Sequence, residues 1–404
     1  MGVVAPSGIG VENFWDSLIH GRSGVGRITR FDASSYPCQI AAEVKDFDPM
    51  DYMDSRIVKR LDRYVHFCLA SASMAIEDAE LEIPHNNPYR IGVFVGTAIG
   101  GGETSENRHL IFVEKGLKRL PPFTLRGIST HSAAAAISEV FALKGPNTTT
   151  SAGCNSGLDA CYLGYNSIRL GDADIMVIGA GEAPITAYIS AVFSAVGILT
   201  LDNANPKAAV KPYDINASGT VLGEGGGTVI LEEFNHAINR GAKIYGEILG
   251  YSSANEAFIF GTQTDSETMA EAFRIALKKA NLDPKDIDYI NAHGNAIQDY
   301  DLAETEAIKK AFNESAYQIP VTSIKPITGQ SLSPTGIFQL ITSLLVIKKG
   351  TIPPTLNHQT PAPNCDLNYV PNQYIKKNVN FAMMNAHGFG GIHTVLIIGK
   401  LQKT

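Results

Sequence analysis

The chain runs through one order of elements twice. In the first half a helical stretch ends in "EDAEL", a short apolar strand follows in "RIGVFVG", and a later strand leads through a loop into a helix around Cys154. In the second half a helical stretch ends in "KKANL", a strand follows in "IDYINAHG", and a strand–loop–helix passage comes around Gln330. A repeat this long describes two fused similar units, not a solenoid. Strands alternate with helices of near-3.6 periodicity, as in "ASASMAIEDAEL" and "TMAEAFRIALKKANL", which points to α/β architecture. Little sequence identity remains between the units. No Pro-, Gly- or Ser-rich linker divides them, so residues 1–240 and 241–404 are expected to pack tightly.

Four apolar runs end in glycine loops: "YRIGVFVGTAIGGG", "DADIMVIGAGEA", "IDYINAHGNA" and "VNFAMMNAHGFGG". Such short runs read as central strands buried on both faces. In sheets of this kind the chemistry sits beyond the carboxyl ends of the strands. The duplication is then expected to place Cys154, His293 and the Gln330 turn at equivalent strand ends. "TIPPTLNHQTPAPNCDL" reads as a Pro-rich surface loop.

Composition narrows the function classes. A net charge of −7 over 404 residues disfavours nucleic acid as a general partner, because phosphate binding needs clustered Lys and Arg. One local exception, "SRIVKRLDRYVHF", carries Arg56, Lys59, Arg60 and Arg63; it reads as a solvated helix face or as a docking patch for an acidic partner. No apolar run is long enough for a membrane span, and "MGVVAPSGIG" lacks the basic and apolar regions of a secretory signal, so a cytoplasmic home is expected. The five cysteines are odd in number and irregularly spaced, which argues against a disulfide framework. Neither they nor the histidines show metal-ligand spacing, so no metal is expected.

Cys154 stands apart from the other thiols. It follows Ser-Ala-Gly and opens a helical stretch, where the helix N-terminus is expected to lower the thiol pKa and favour attack on a thioester carbonyl. The bland alternative is an inert buried thiol, which suits Cys68 and Cys161. His293 lies in a glycine-bounded loop after a strand. "NAHGFGG" adds His387 and Phe389 in a loop whose glycines let a backbone N–H point into a site, as an oxyanion hole requires. The glycine stretches do not read as nucleotide sites: "GTAIGGGETS" lacks the GK[ST] ending and "GEGGGTVILEE" runs into a strand.

Taken with "GVVAPSGIGVENFWDSLIHGRSGVGRITRFD", "TSAGCNSGLDA", "GTVLGEGGGTVILEEFNHAINRGAKIYGEILGY", "SIKPITG" and "GTIPPTLNH", these motifs give the chain a resemblance along nearly its whole length. It resembles the β-ketoacyl-[acyl-carrier-protein] synthases, the elongating ketosynthases of fatty-acid and type II polyketide assembly. The resemblance implies a thiolase fold: two αβαβα halves with two five-stranded sheets layered between helices. It implies a homodimer, or a heterodimer with a related subunit. No cofactor is implied for the chain itself, since substrates ride on the phosphopantetheine of an acyl carrier protein. Cys154 matches the acyl-accepting nucleophile, and the N–H groups of Cys154 and Phe389 match the oxyanion hole. His293 matches the first of two histidines that assist malonyl decarboxylation. Lys325 matches a supporting lysine and Glu304 its acidic partner, while Phe389 also matches the residue that gates acyl entry.

Several positions depart from the family pattern. Gln330 stands where the second histidine is usual. Asn295 and Ile297 replace two threonines that commonly meet the pantetheine arm. His387 and Ile392 stand where Phe and Thr are frequent, and the chain begins after the usual first strand, which leaves an edge of the first sheet in question. Glutamine keeps an N–H donor but does not titrate near pH 7. His387 is expected near the pocket, where its ring would partly replace the missing imidazole or merely fill the space of a phenyl. Three readings follow: a condensing ketosynthase of specialised metabolism, a non-decarboxylating acyltransferase or cyclase, and a chain-length-factor-like partner subunit. The third is disfavoured by the retained cysteine. Side chains in "ITAYISAVFSAVG" are expected to set pocket depth at a dimer interface.

Overall fold

Strands form where the apolar runs suggest. The computed structural model describes residues 1–257 and 264–401. Six strands make the first sheet: β1 (Gly2–Ala5), β2 (Gly8–Ile9), β3 (Ile91–Gly96), β4 (Asn147–Thr150), β5 (Ile175–Glu182) and β6 (Gly225–Glu232), in the order β2-β1-β6-β5-β3-β4. Five make the second: β7 (Glu247–Asn255), β8 (Tyr289–Asn291), β9 (Val321–Thr322), β10 (Phe381–Gly388) and β11 (Ile392–Gly399), in the order β9-β8-β10-β11-β7.

The two sheets share one pairing scheme. β3 runs parallel to β4 and β5, β5 antiparallel to β6, and β6 antiparallel to β1. In the second sheet β8 runs parallel to β9 and β10, β10 antiparallel to β11, and β11 antiparallel to β7. The repeat read from the sequence is therefore a repeat of topology. The first sheet has six strands, not five, because the turn after β1 folds Gly8–Ile9 back onto it. β1 lies inside this sheet, between β2 and β6, so the place of a first strand is filled.

Seven helices matter for the site: α1 (Ser55–Arg60), α2 (Arg63–Asp78), α3 (Ser156–Arg169), α4 (Ser266–Ala280), α5 (Gln298–Phe312), α6 (Lys325–Thr328) and α7 (Pro334–Lys349). α3 and α7 pack on each other between the sheets, α2 covers the outer face of the first sheet, and α4 covers that of the second with α5 packed beside it. α7 is buried from Pro334 through Ile347, which explains a sequence apolar on every side rather than on one stripe. Each large side chain so buried contributes roughly 1.5–3 kcal/mol. Small residues let the middle layer close: a Cβ on Gly157 would lie 2.4 Å from the Ser333 carbonyl oxygen, so α3 and the start of α7 approach only because this position has none.

Two surface readings change. The Pro-rich segment is not a surface loop at its start, since Pro353, Pro354, Thr355 and His358 are buried. Thr355 Oγ1 accepts from the Ser323 N–H at 3.0 Å, which braces the turn beneath the site. The basic stretch is split as well. Arg63 forms an ion pair with the buried Glu224 at 2.8 Å and Arg56 pairs with Asp54, leaving Lys59 and Arg60 exposed on α1. Among the described residues no helix is long and apolar enough to cross a membrane.

Candidate active site

Cys154 lies in the loop after β4, and Gln330 comes just after α6, which follows the equivalent strand β9. His293 follows β8, the neighbour of β9 in the second sheet, so the three positions are not all at equivalent strand ends. The two halves meet at the thiol. Asn155 carries the junction: its Nδ2 donates to the Thr394 hydroxyl at 3.0 Å and the Ile392 carbonyl at 3.1 Å, tying the Cys154 turn to β11. Ser156 Oγ donates to the Gly153 carbonyl at 2.7 Å, tightening that turn. A Cβ on Gly388 would stand 3.0 Å from Asn155 Oδ1 and 3.6 Å from the Cys154 nitrogen, so the end of β10 runs close against the Cys154 N–H. Phe389 comes next in the chain and is 47% exposed, at the mouth of the site.

The thiol is buried, and that decides its resting state. Burial pushes the Cys154 pKa up to about 11; the Lys325 ammonium opposes the rise and the buried Glu182 adds to it. Burial thus works against the lowering expected from a helix N-terminus. α3 starts at Ser156, two residues beyond the thiol, and desolvation is the largest influence on the sulfur. The resting group is a neutral thiol. Cys68 and Cys161 are fully buried and also raised, Cys161 to about 12.

Two side chains converge on the sulfur. Gln330 Nε2 lies 3.5 Å from Cys154 Sγ and 3.4 Å from His293 Nε2. The Gln330 amide is oriented by Thr335, whose hydroxyl donates to Oε1 at 3.1 Å. His293 is oriented from behind: the backbone N–H of His387 donates to its Nδ1 at 3.3 Å. With Nδ1 accepting, a neutral ring carries its proton on Nε2. Burial and the charges of Lys325, His387 and His393 hold His293 well below the usual imidazole range, so the ring is neutral. Two N–H donors thus aim at one region beside the thiol, and an oxygen bearing negative charge satisfies both.

Glu304 organises the floor. It accepts from the backbone N–H groups of His293 at 2.7 Å and Gly294 at 2.9 Å, from the Tyr213 hydroxyl at 2.7 Å, and from Asn385 Nδ2. Burial works against its charge, but His387 and these donors outweigh it and hold the carboxyl down to about 2. Lys325 does not pair directly with Glu304; its ammonium donates to the His293 carbonyl. Burial lowers Lys325 to about 8, with Glu304, Cys154 and Asp301 opposing that shift. Asn295 turns inward, its Oδ1 accepting from the Ile297 N–H at 3.1 Å and its own N–H donating to Asp301. Ile297 is half-buried at the start of α5.

His387 is close to the pocket, but its ring does not reach the sulfur. It faces Glu304 on one side and His393 on the other, with its centroid 4.6 Å from that of His293. His393, Glu256, Asn155, Tyr213, Asn385 and Thr335 were not anticipated as parts of the site. One of them had a readable signal: "HGFGGIH" is a strand–turn–strand spacing that sets two histidines opposite each other, and β10 and β11 pair His387 with His393. Among the described residues no group of three His, Cys, Asp or Glu side chains is arranged to hold a metal ion.

Comparison with known proteins agrees with this geometry. The chain matches the family model "Beta-ketoacyl synthase, N-terminal domain" over residues 1–237 and "Beta-ketoacyl synthase, C-terminal domain" over residues 245–359. It is 38% identical over 403 residues to the 3-oxoacyl-[acyl-carrier-protein] synthase 2 of Synechocystis, covering 100% of this chain and 97% of that protein. A solved complex described as a type II PKS acyl-carrier protein with its ketosynthase bound to the hexaketide matches with a TM-score of 0.91 and 34% identity, over 99% of this chain and 98% of that one. The ishigamide ketosynthase/chain length factor matches with a TM-score of 0.93 and 30% identity, over 99% of this chain and 98% of that one. A buried thiol at the junction of two duplicated αβ halves, with a family match along both of them, means that this chain belongs to the β-ketoacyl synthase family, acyltransferases of the thiolase fold.

Proposed function

We propose that the chain performs decarboxylative Claisen condensation, with Cys154 holding the acyl group and a malonyl unit arriving on an acyl carrier protein. The observation that carries this reading is the donor pair beside the sulfur, His293 Nε2 and Gln330 Nε2 at 3.4 Å from each other. In the first half-reaction the Cys154 sulfur attacks the acyl thioester carbonyl. Its proton leaves with the departing carrier thiol, and the N–H groups of Cys154 and Phe389 stabilise the oxyanion. In the second, the malonyl thioester oxygen accepts from His293 and Gln330. The bond to the carboxylate breaks, CO₂ leaves, and the electron pair spreads onto that oxygen as an enolate. The enolate carbon attacks the acyl carbonyl, the carbon–sulfur bond to Cys154 breaks, and the sulfur takes up one proton.

No step of this scheme draws a proton from position 330. A glutamine donor is therefore sufficient there, which is how the enzyme accommodates the change from histidine. Lys325 and Glu304 act as supports: one holds the His293 carbonyl, the other the His293 and Gly294 N–H groups. Ile297 offers the pantetheine arm apolar contact in place of a hydroxyl, and Phe389 gates the mouth.

The same proposal extends to partners. Lys59 and Arg60, exposed on α1, suit an acidic carrier protein steered by charge. The free edge at β4 and the exposed Phe112, Val113, Tyr188, Val192 and Val196 suit a face buried against a second ketosynthase-type subunit, identical or related. The altered pocket suits a specialised polyketide-like or fatty-acid-like pathway. The test is CO₂ release from a malonyl carrier protein in the presence of acyl carrier protein, by wild type and His293→Ala. Release coupled to chain growth in wild type and lost in the variant is expected; transfer of the acyl group without CO₂ release would overturn the proposal.

A further inference from the structure

A chain of four titratable side chains runs away from the thiol. Glu304 Oε1 lies 3.3 Å from His387 Nε2, close enough for an ion pair but off the hydrogen-bond line. His387 Nδ1 and His393 Nδ1 are 3.3 Å apart, across the antiparallel pairing of β10 and β11. His393 Nε2 is 2.8 Å from Glu256 Oε1. Both imidazoles are nearly inaccessible, 3% and 2% exposed, so these contacts are shielded from bulk solvent.

Proton counting fixes the charge of this chain. The contact between the two Nδ1 atoms needs one proton, because two lone pairs repel and two N–H groups clash. His393 Nε2 needs a proton to donate to Glu256, and a bare His387 Nε2 would set its lone pair against the Glu304 carboxylate at 3.3 Å. Three protons on two imidazoles make one cation. Two neutral rings would leave a bare nitrogen against a carboxylate or an unbonded pair in the middle, and two cations would put two N–H groups head to head.

We propose that His387 and His393 share a single positive charge, held between Glu304 and Glu256, and that this charge is a positioning device for His293. The proposal rests on the role given above to His293. The charge sits beside the His293 ring, with centroids 4.6 Å apart, and opposes protonation there. His293 therefore keeps Nδ1 free for the His387 N–H and Nε2–H free for the substrate oxygen. The same charge favours the enolate as it forms. When the pair loses its proton, that field is lost.

The titratable and charged groups around the pair come from every neighbouring element. They are Glu304 from α5, His293 after β8, Lys325 from α6, Cys154 after β4, and Glu256 and Asp265 after β7. The Glu256 carboxylate is itself held by the Thr264 hydroxyl at 3.1 Å and the Asp265 N–H at 2.6 Å.

Two measurements test the proposal. The first is NMR titration of the full-length protein labelled with ¹³C at histidine Cε1, which needs no turnover. In wild type His387 and His393 should titrate together as one proton. In His393→Asn the His387 midpoint should move by at least one pH unit. An unchanged His387 titration overturns the shared charge, whatever the enzyme's activity. The second is the pH profile of CO₂ release from a malonyl carrier protein. Wild type should lose rate as pH rises through the pair's midpoint. His387→Phe, which keeps the volume, should show no such limb, with KM for the carrier within about twofold. Glu256→Gln should shift the limb to lower pH by about one to three units, because an opposite charge has gone. It also serves where His387→Phe does not fold. Profiles identical to wild type in both variants would overturn the positioning role.

Discussion

Replacing Gln330 by leucine removes one of the two N–H donors beside the thiol and changes little in volume. The structure allots the amide two tasks. Its Nε2 faces Cys154 Sγ at 3.5 Å and His293 Nε2 at 3.4 Å, and its Oε1 accepts from the Thr335 hydroxyl at 3.1 Å. Loss of one oxyanion donor costs about 2.7–4 kcal/mol of transition-state stabilisation, roughly 10²–10³ in rate. That loss should fall on decarboxylation alone, since the oxyanion of the acylation step is assigned to the backbone N–H groups of Cys154 and Phe389. Thr335 is 1% exposed, so its orphaned hydroxyl should cost about 1–3 kcal/mol of stability as a separate effect. Pairing the change with Thr335→Val removes that orphan and separates the two. The assay is single-turnover CO₂ release from a malonyl carrier protein beside the rate of Cys154 acylation by intact mass. CO₂ release should fall about 10²–10³-fold and acylation less than about tenfold. Release within about threefold of wild type, or an equal fall in both steps, would refute the donor-pair argument.

Other outcomes follow from the buried charges. Cys154 is raised to about 11 by burial, so its alkylation by iodoacetamide should climb about tenfold per pH unit from 7 to 10. Lys325→Met should slow it further by removing the cation that opposes the rise; a plateau below pH 8 in mass-spectrometric rates would contradict this. Glu304 is held at about 2, below its ordinary value, so it contributes stability above its unfolded pKa, which is lost as pH falls through the folded value. In urea unfolding, Glu304→Gln should cost on the order of 3 kcal/mol at pH 7, with the gap closing between pH 5 and 2; a gap that does not depend on pH would count against a charged Glu304. Asn155→Ala strips donors from the Thr394 hydroxyl and the Ile392 carbonyl. It should lower stability by about 1–3 kcal/mol and slow Cys154 acylation; an unaltered acylation rate would mean that the turn holds itself.

Sequence reasoning reached the architecture because a repeated order of elements survives loss of identity: strand runs such as "IMVIGAGE" and "FAMMNAHG" keep their apolar character wherever a strand is covered on both faces. It brought Cys154, His293 and the Gln330 turn together because each follows a strand end, whereas Lys325 and Glu304 entered only through the family resemblance. What it missed depends on distances between loops. The direction of the Cys154 shift is set by how deeply the junction buries the thiol, which no local motif encodes. Lys325 and Glu304 support the same backbone stretch from different atoms, a distinction visible only in three dimensions. The ring of His387 turns from the sulfur toward His393, as the cross-strand register of β10 and β11 dictates. The buried Pro353–Thr355 stretch was misread because prolines suggest exposure, whereas here they pass beneath Ser323.

The most direct test is a chase experiment on intact protein. Cys154 is loaded from an acyl carrier protein, malonyl carrier protein is added, and adduct mass, CO₂ and carrier-bound product are followed together, with Cys154→Ala alongside. The account predicts an adduct only in wild type, which disappears as one CO₂ is released per β-ketoacyl carrier formed. An adduct that persists, or that leaves without CO₂, would contradict decarboxylative condensation by Cys154, His293 and Gln330.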